Sequence, residues 1–271
     1  MGLRVNTNIF SLSAQNNLSQ VTERLGGNFA RLSSGLRIAS ASDDAAGLGI
    51  SERLRSQIRS LGQAGRNTQD GLSLAQTAES AIGEISNNLN RARELAVQAS
   101  TGTLSADDRA IIDEEFQALD DEINRIATDT EFNGISLLNG SDATNVQVGL
   151  DSGQQITIDS IDVQSTALGI AGLDLSTEAG AQAALSTLDT AINSVNSERG
   201  SLGAIQNRLS SAFNSINSTR EGLSQAESRI RDVDVAAESA DLTRNSILQQ
   251  AAVSVLSQAN VQPQLALSLI G

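Results

Sequence analysis

The stretch IGEISNNLNRARELA, residues 82–96, sets Ile82, Ile85, Leu89, Ala92 and Ala96 at gaps of three, four, three and four. That spacing puts all five on one stripe of an α-helix, because positions three and four apart share a face. Upstream, Ile50, Leu54, Ile58 and Leu61 extend the stripe, and the spacing predicts one helix over 44–99. At 1.5 Å per residue it would be roughly 80 Å long. Asp43 offers an N-cap, and Thr101-Gly102 closes the far end.

Downstream, Ser105 or Asp107 caps a second helix that carries Ile112, Phe116, Leu119, Ile123 and Ile126 and stops near Asp129. Phe132-Asn133-Gly134 and Asn139-Gly140 then signal turns. The period changes to two: Val146, Val148 and Leu150 alternate, Asp151-Ser152-Gly153 turns, and Ile156 and Ile158 alternate again. This predicts a β-hairpin. Residues 160–177 read as loop or short strand. Helical spacing returns near 178, through Leu185, Leu188, Ile192, Val195, Leu202, Ile205, Leu209, Ile216, Leu223 and Ile230. A helix of about 45 residues is long enough to lie antiparallel along the first.

The ends are the unusual parts. Val5, Ile9, Leu12, Val21, Leu25, Phe29, Leu32 and Leu36 mark the N-terminal segment. Leu242, Leu248, Ala252, Val255 and Ala259, then Leu265, Leu267, Leu269 and Ile270, mark the C-terminal one. Both are rich in Ala, Ser, Asn and Gln, and residues 245–271 hold no charged side chain. An isolated amphipathic helix is marginal in water. Each end therefore needs a partner, either the other end or other copies of the chain. The predicted fold class is mainly α: a long antiparallel helical bundle with terminal coiled-coil helices and a small β-hairpin. The predicted segments are 1–43, 44–140, 141–177, 178–230 and 231–271.

Composition agrees with helices packed closely. The 271 residues, enough for one large domain or two small ones, include five Phe and no Tyr or Trp, so the core must come from Leu, Ile, Val and Ala. The net charge is −14, unevenly placed: residues 1–66 carry eight Arg against four acidic residues, and the other ten Arg face 28. A basic third beside an acidic remainder suits self-association, or is a solvated gradient without a role. Scattered Arg without interleaved aromatics argue against nucleic-acid binding. No run of about 18 apolar residues predicts a membrane span. The opening residues lack the apolar core of a secretory signal, which reads as cytoplasmic unless an export route without a cleaved signal applies.

Catalytic chemistry has little to stand on. The chain has no His, Cys or Lys, which excludes Ser–His and Cys–His nucleophiles, the usual zinc sites, a P-loop lysine and a Schiff base. Gly47-Leu48-Gly49 is no dinucleotide loop, since no third glycine follows and no strand precedes. The acidic clusters Asp43-Asp44, Asp107-Asp108, Asp113-Glu114-Glu115 and Asp120-Asp121-Glu122 read as solvent-facing positions or helix starts rather than metal ligands. No cofactor and no catalytic residue is expected.

Several motifs in this order resemble the bacterial flagellin family. They are Val5-Asn6-Thr7-Asn8, Arg31-Leu32-Ser33-Ser34-Gly35-Leu36-Arg37-Ile38, Asp43-Asp44-Ala45-Ala46-Gly47-Leu48, Arg91-Ala92-Arg93-Glu94-Leu95-Ala96-Val97-Gln98, Glu131-Phe132-Asn133-Gly134, and Ile247-Leu248-Gln249-Gln250-Ala251 with Ser254–Asn260. The resemblance covers about residues 1–140 and 178–271 and implies a subunit of the flagellar filament. Such a chain would be exported unfolded without a cleaved signal and polymerised under a cap at the distal tip, into an extracellular tube. Its partners would be many copies of itself, the cap, hook-junction proteins and an export chaperone. The terminal helices would pair along the inner tube, which assigns Val5, Ile9, Leu12, Val21, Leu25, Phe29, Leu32, Leu248, Ala252, Val255 and Ala259 to self-assembly. The family is also bound by a Toll-like innate receptor. By the same resemblance Leu89, Arg91, Leu95 and Glu115 fall at that contact, which doubles as a contact between subunits. With only residues 141–177 between the helical halves, the large outer domains are nearly absent. A hook-junction protein shares the terminal architecture, and an unexported coiled-coil protein is a further alternative.

Overall fold

The computed structural model describes residues 7–141 and 143–268. In chain order the elements are α1 (Ile9–Ser34), α2 (Ala45–Ala99), α3 (Ala106–Asp129), β1 (Glu131–Phe132), β2 (Ile135–Ser136), β3 (Thr144–Gln147), β4 (Gln155–Ile158), α4 (Ser165–Leu168), α5 (Glu178–Arg231) and α6 (Val235–Ser268). The chain divides into two compact units, residues 57–221 and the terminal segments 1–56 with 222–271.

The 57–221 unit is a bundle of long helices with its own core. Among the buried positions of α2, Leu61, Ala64, Thr68, Gly71, Ala75, Ala78, Ile82, Ile85, Leu89, Ala92, Ala96 and Ala99 form a stripe spaced by three and four throughout, and Gly65, Leu74, Ser86 and Leu95 widen it. A sustained seven-residue repeat of this kind keeps one face turned to a partner helix along its whole length. On α5, Ala181, Ala184, Leu188, Ala191, Val195, Leu202, Ile205 and Leu209 answer it. Arg93 Nε donates to Asp189 Oδ1 at 2.6 Å, and Gln206 Nε2 donates to Glu79 Oε2 at 2.7 Å, so α2 and α5 run antiparallel. The alanines let the backbones approach, as the shortage of aromatics requires. Ile112, Phe116, Ile123 and Ala127 of α3 complete the core.

The α2–α3 corner is stitched by side chains. Arg109 donates to the carbonyls of Ala99 and Thr101, neutralising the end of α2. Ser105 is the cap of α3, forming a reciprocal capping box with Asp108. At the start of α2 the capping residue is Asp44, not Asp43. The Asp44 carbonyl accepts the first helical bond from Leu48, and its carboxylate accepts from the Gly47 amide at 2.9 Å. Ile50 also departs from expectation, at 48% exposed, since the inward position is Ser51.

The predicted hairpin is β3–β4, with Val146 opposite Ile156 and Thr144 opposite Ile158. Leu150 does not continue the alternation. The chain leaves β3 at Gln147, whose side chain donates to the carbonyls of Gly149 and Asp151. A second, shorter hairpin joins β1 to β2 through Asn133 and Gly134, both at positive φ (52° and 77°), as a two-residue primed turn demands. Residues 160–177 are more ordered than loop or strand: Ile161, Val163, Leu168, Ile170 and Leu175 are buried and α4 adds a helical turn. Asp113 accepts from the Leu175 amide at 2.8 Å, so that carboxylate holds a loop rather than facing solvent.

Val146 packs against α2 where Gly71 leaves room. A Cβ at Gly71 would stand 2.7 Å from Val146 Cγ2 and 3.0 Å from Cγ1. Gly71→Ala is therefore expected to destabilise the unit by about 1–3 kcal/mol through overpacking, outweighing the ~0.5–1 kcal/mol gained by replacing a helical glycine. Urea unfolding of the variant against the parent checks this.

Candidate self-assembly surface

In the terminal unit α1 and α6 pack as an antiparallel pair. The inward positions of α1 are Ser11, Ala14, Leu18, Val21, Leu25, Asn28 and Leu32. Those of α6 are Glu238, Leu242, Asn245, Gln249, Ala252, Leu256 and Ala259. Each run steps by three and four without a break, as a coiled-coil seam does. Polar bonds tie its two ends. Asn8 Nδ2 donates to the Ala259 carbonyl at 2.7 Å and Ser11 Oγ to Asn260 Oδ1 at 2.7 Å. At the other end Asn28 donates to Glu238 and accepts from Asn245.

The predicted assembly residues therefore fall on two faces rather than one stripe. Val21, Leu25, Leu32, Ala252 and Ala259 lie in the seam. Ile9, Leu12, Phe29, Leu248 and Val255 point away from it, with Ile9 at 56% and Phe29 at 57% exposed. Val5 lies outside the described residues, as do the side chains of Leu265, Leu267, Leu269 and Ile270. The two faces merge in the sequence because the seam itself is rich in Ser, Asn, Gln and Ala, so apolar spacing does not single it out.

Eleven of the fifteen large apolar side chains exposed among the described residues belong to this unit, including Phe10, Ile247, Val253 and Val261. Ile38 is the only large apolar side chain fully buried there among the described residues. Helices apolar on more than one face are buried in something larger.

The linkers beside the pair are joined by backbone. Leu36 and Asp232 form an antiparallel bridge, Arg37 N donates to the Arg231 carbonyl at 2.7 Å, and Val233 N to the Gly35 carbonyl at 3.0 Å. Gly35 sits at φ 72°, the left-handed cap that ends α1. Arg231 Nη1 reaches Glu52 Oε1 at 2.7 Å, and Arg231 and then Arg55 hold the Glu52 carboxyl below its ordinary range. Sequence reasoning missed this joint, since lone charges at helix ends carry no periodic signal.

Asp43 folds the turn ahead of α2. The amide and hydroxyl of Ser40 and the amide of Ala39 all donate to its carboxylate, which lowers its pKa from 3.8. A depressed carboxyl contributes stability above the unfolded value and loses it as pH falls through the folded one. The amides of Ala39 and Ser40 are thus expected to keep their hydrogen-exchange protection until the pH drops below 3.8.

In the 57–221 unit, Arg91 donates through Nε and Nη2 to Glu115 Oε1, at 3.0 and 2.8 Å, and through Nη1 to Glu94. Both Arg91 and Glu115 are half exposed. Leu89 and Leu95 are not at that surface. At 0% and 2% exposed they lie in the core of the unit, beneath the surface that carries Arg91 and Glu115.

Among the described residues no group of three or more acidic side chains is placed to hold a metal ion, and no helix is long and apolar enough to cross a membrane. Residues 5–143 match the bacterial flagellin N-terminal helical region and residues 185–270 the bacterial flagellin C-terminal helical region. The chain is 44% identical to a flagellin of Halalkalibacterium halodurans over 98% of its own length and 99% of that protein's. It is likewise 44% identical to a flagellin of Bacillus subtilis over 99% of this chain and all of the relative. The crystal structure of Bacillus cereus flagellin superposes with a TM-score of 0.53 at 38% identity, covering 56% of this chain and 88% of that one. With both helical regions matched in order, and relatives aligned nearly end to end, the chain belongs to the bacterial flagellin family, as a structural subunit of the extracellular flagellar filament rather than an enzyme.

Proposed function

We propose that the outward apolar face of the α1–α6 pair is the surface on which copies of this chain pack in the filament, with the pair along its inner tube. The observation that carries this reading is the concentration of exposed Ile, Leu, Phe and Val on two helices whose mutual seam is already satisfied. Burying each such side chain between subunits contributes about 1.5–3 kcal/mol. Among the described residues the terminal unit has almost no core of large side chains, which leaves it marginal alone and suits a chain that travels unfolded and orders its ends at the growing tip. The same face would be covered before assembly by an export chaperone, and at the filament's ends by cap and hook-junction proteins. Seeded polymerisation tests the reading: purified chain plus fragments should yield long tubular fibres by electron microscopy, and the absence of fibres would refute it.

Arg91 and Glu115 support a second, surface role. Their half-exposed pairing at the surface supports reading them, rather than the buried Leu89 and Leu95, as side chains a receptor could reach. Arg91→Asp is expected to weaken stimulation of cells bearing the Toll-like receptor by roughly thirtyfold, the scale of a hot-spot loss of about 2 kcal/mol. Unchanged stimulation would leave the residue a contact between subunits only.

A further inference from the structure

At one level the α1–α6 seam is polar, with two of its members buried and Asn245 half-buried beside them. Asn28 is 6% and Glu238 8% exposed. Asn28 Nδ2 donates to Glu238 Oε1 at 2.5 Å, while Asn28 Oδ1 accepts from Asn245 Nδ2 at 2.7 Å. Arg31 Nη1 reaches the same Glu238 oxygen at 3.4 Å. The amide of Asn28 is thus answered on both sides by α6.

The apolar and small positions of the seam are far more permissive. Leu18, Val21 and Leu25 would pack nearly as well against one part of α6 as another. A buried polar layer behaves differently. It adds little stability, yet it discriminates sharply, because any arrangement that separates its members leaves them desolvated and unpaired. A slip of one heptad in one direction brings Ala252 into the place of Asn245, and Asn28 Oδ1 loses its donor. The opposite slip carries Asn245 into the place of Ala252 and moves Glu238 away from Arg31. Only the observed alignment satisfies all of them.

We propose that Asn28, Asn245 and Glu238 specify the register and the partner of α1: antiparallel to α6 of its own chain, in the alignment seen, rather than slipped or exchanged with another copy. The matter arises because, on the self-assembly reading above, each α1 is surrounded by further helices bearing the same apolar positions.

The absence of cysteine from the chain makes the register readable by cross-linking. Ser11→Cys with Asn260→Cys reports the native alignment, since those side chains touch. Ser11→Cys with Val253→Cys reports a slip of one heptad. In fibres of the otherwise native chain the first pair should cross-link within one chain about tenfold more than the second. Combining Asn28→Leu, Glu238→Leu and Asn245→Leu should bring the two yields together and produce cross-links between chains on denaturing gels. The exchange Asn28→Glu with Glu238→Asn, which keeps one carboxylate facing two amides, should restore the native preference. A triple-leucine chain that keeps the tenfold preference overturns the proposal, as does an exchange variant that stays scrambled. If the triple variant does not polymerise, Asn28→Ala, carried as a minority in native fibres, gives the same reading. If the native chain itself gives no fibres, the assembly reading fails, and the two yields measured on the soluble chain still decide the register.

Discussion

Removing residues 245–271 is expected to abolish seeded polymerisation while leaving the 57–221 unit folded. The cut takes Asn245, Gln249, Ala252, Leu256 and Ala259 from the seam, and with them the hydrogen bonds to Asn8, Ser11 and Asn28. It also takes Ile247, Leu248, Val253, Val255 and Val261 from the outward face. At about 1.5–3 kcal/mol for each large apolar side chain buried, no lateral contact elsewhere replaces that loss easily. The other unit shares none of these residues, because its buried apolar positions run from Leu61 to Ile216. Circular dichroism should therefore still report long helices, and electron microscopy should show seeds that do not grow. Fibres of normal length from the trimmed chain would refute the role given to α6.

Phe116→Ala should have the largest effect on stability of any single truncation in the core. Phe116 is 1% exposed and is the one aromatic fully buried among the described residues. The core cluster it belongs to is otherwise built of Ala, Leu, Ile and Val, side chains too small to refill the space a ring leaves. Such a cavity costs about 3–5 kcal/mol, against a total of roughly 5–15 kcal/mol for a typical domain. Urea unfolding should show the midpoint falling with little change in slope. A loss under about 1 kcal/mol would mean that the bundle closes over the gap.

How far the sequence could be read follows the strength of each periodic signal. The long helices were legible because the seven-residue repeat runs unbroken across many turns of α2, and the end of α3 and the β3–β4 hairpin because their turn residues are specific. The length of α5 was underestimated, at about 45 residues against 54, because alanines such as Ala181, Ala184 and Ala191 form much of its seam and look neutral. Asp43 and Asp44 both qualify as caps by type, and only the direction of each carboxylate separates the cap from the turn-former. Leu89 and Leu95 were placed on a surface by resemblance, although Leu89 belongs to the stripe that first defined α2.

The order of amino acids, read alone, determined that this chain is helical, that its core is built almost entirely from aliphatic side chains, and that its ends need partners. Each of these follows from local spacing or composition. Tertiary structure decided the rest. It showed that α1 and α6 satisfy one face on each other and leave another bare. It also showed that Asn28, Glu238 and Asn245, separated by more than 200 residues along the chain for Asn28 and its partners, meet in one polar layer. The physical reason is that exposure and hydrogen-bond partnership are properties of packing. A polar residue at a seam position looks like a break in the apolar pattern until the helix that answers it lies alongside.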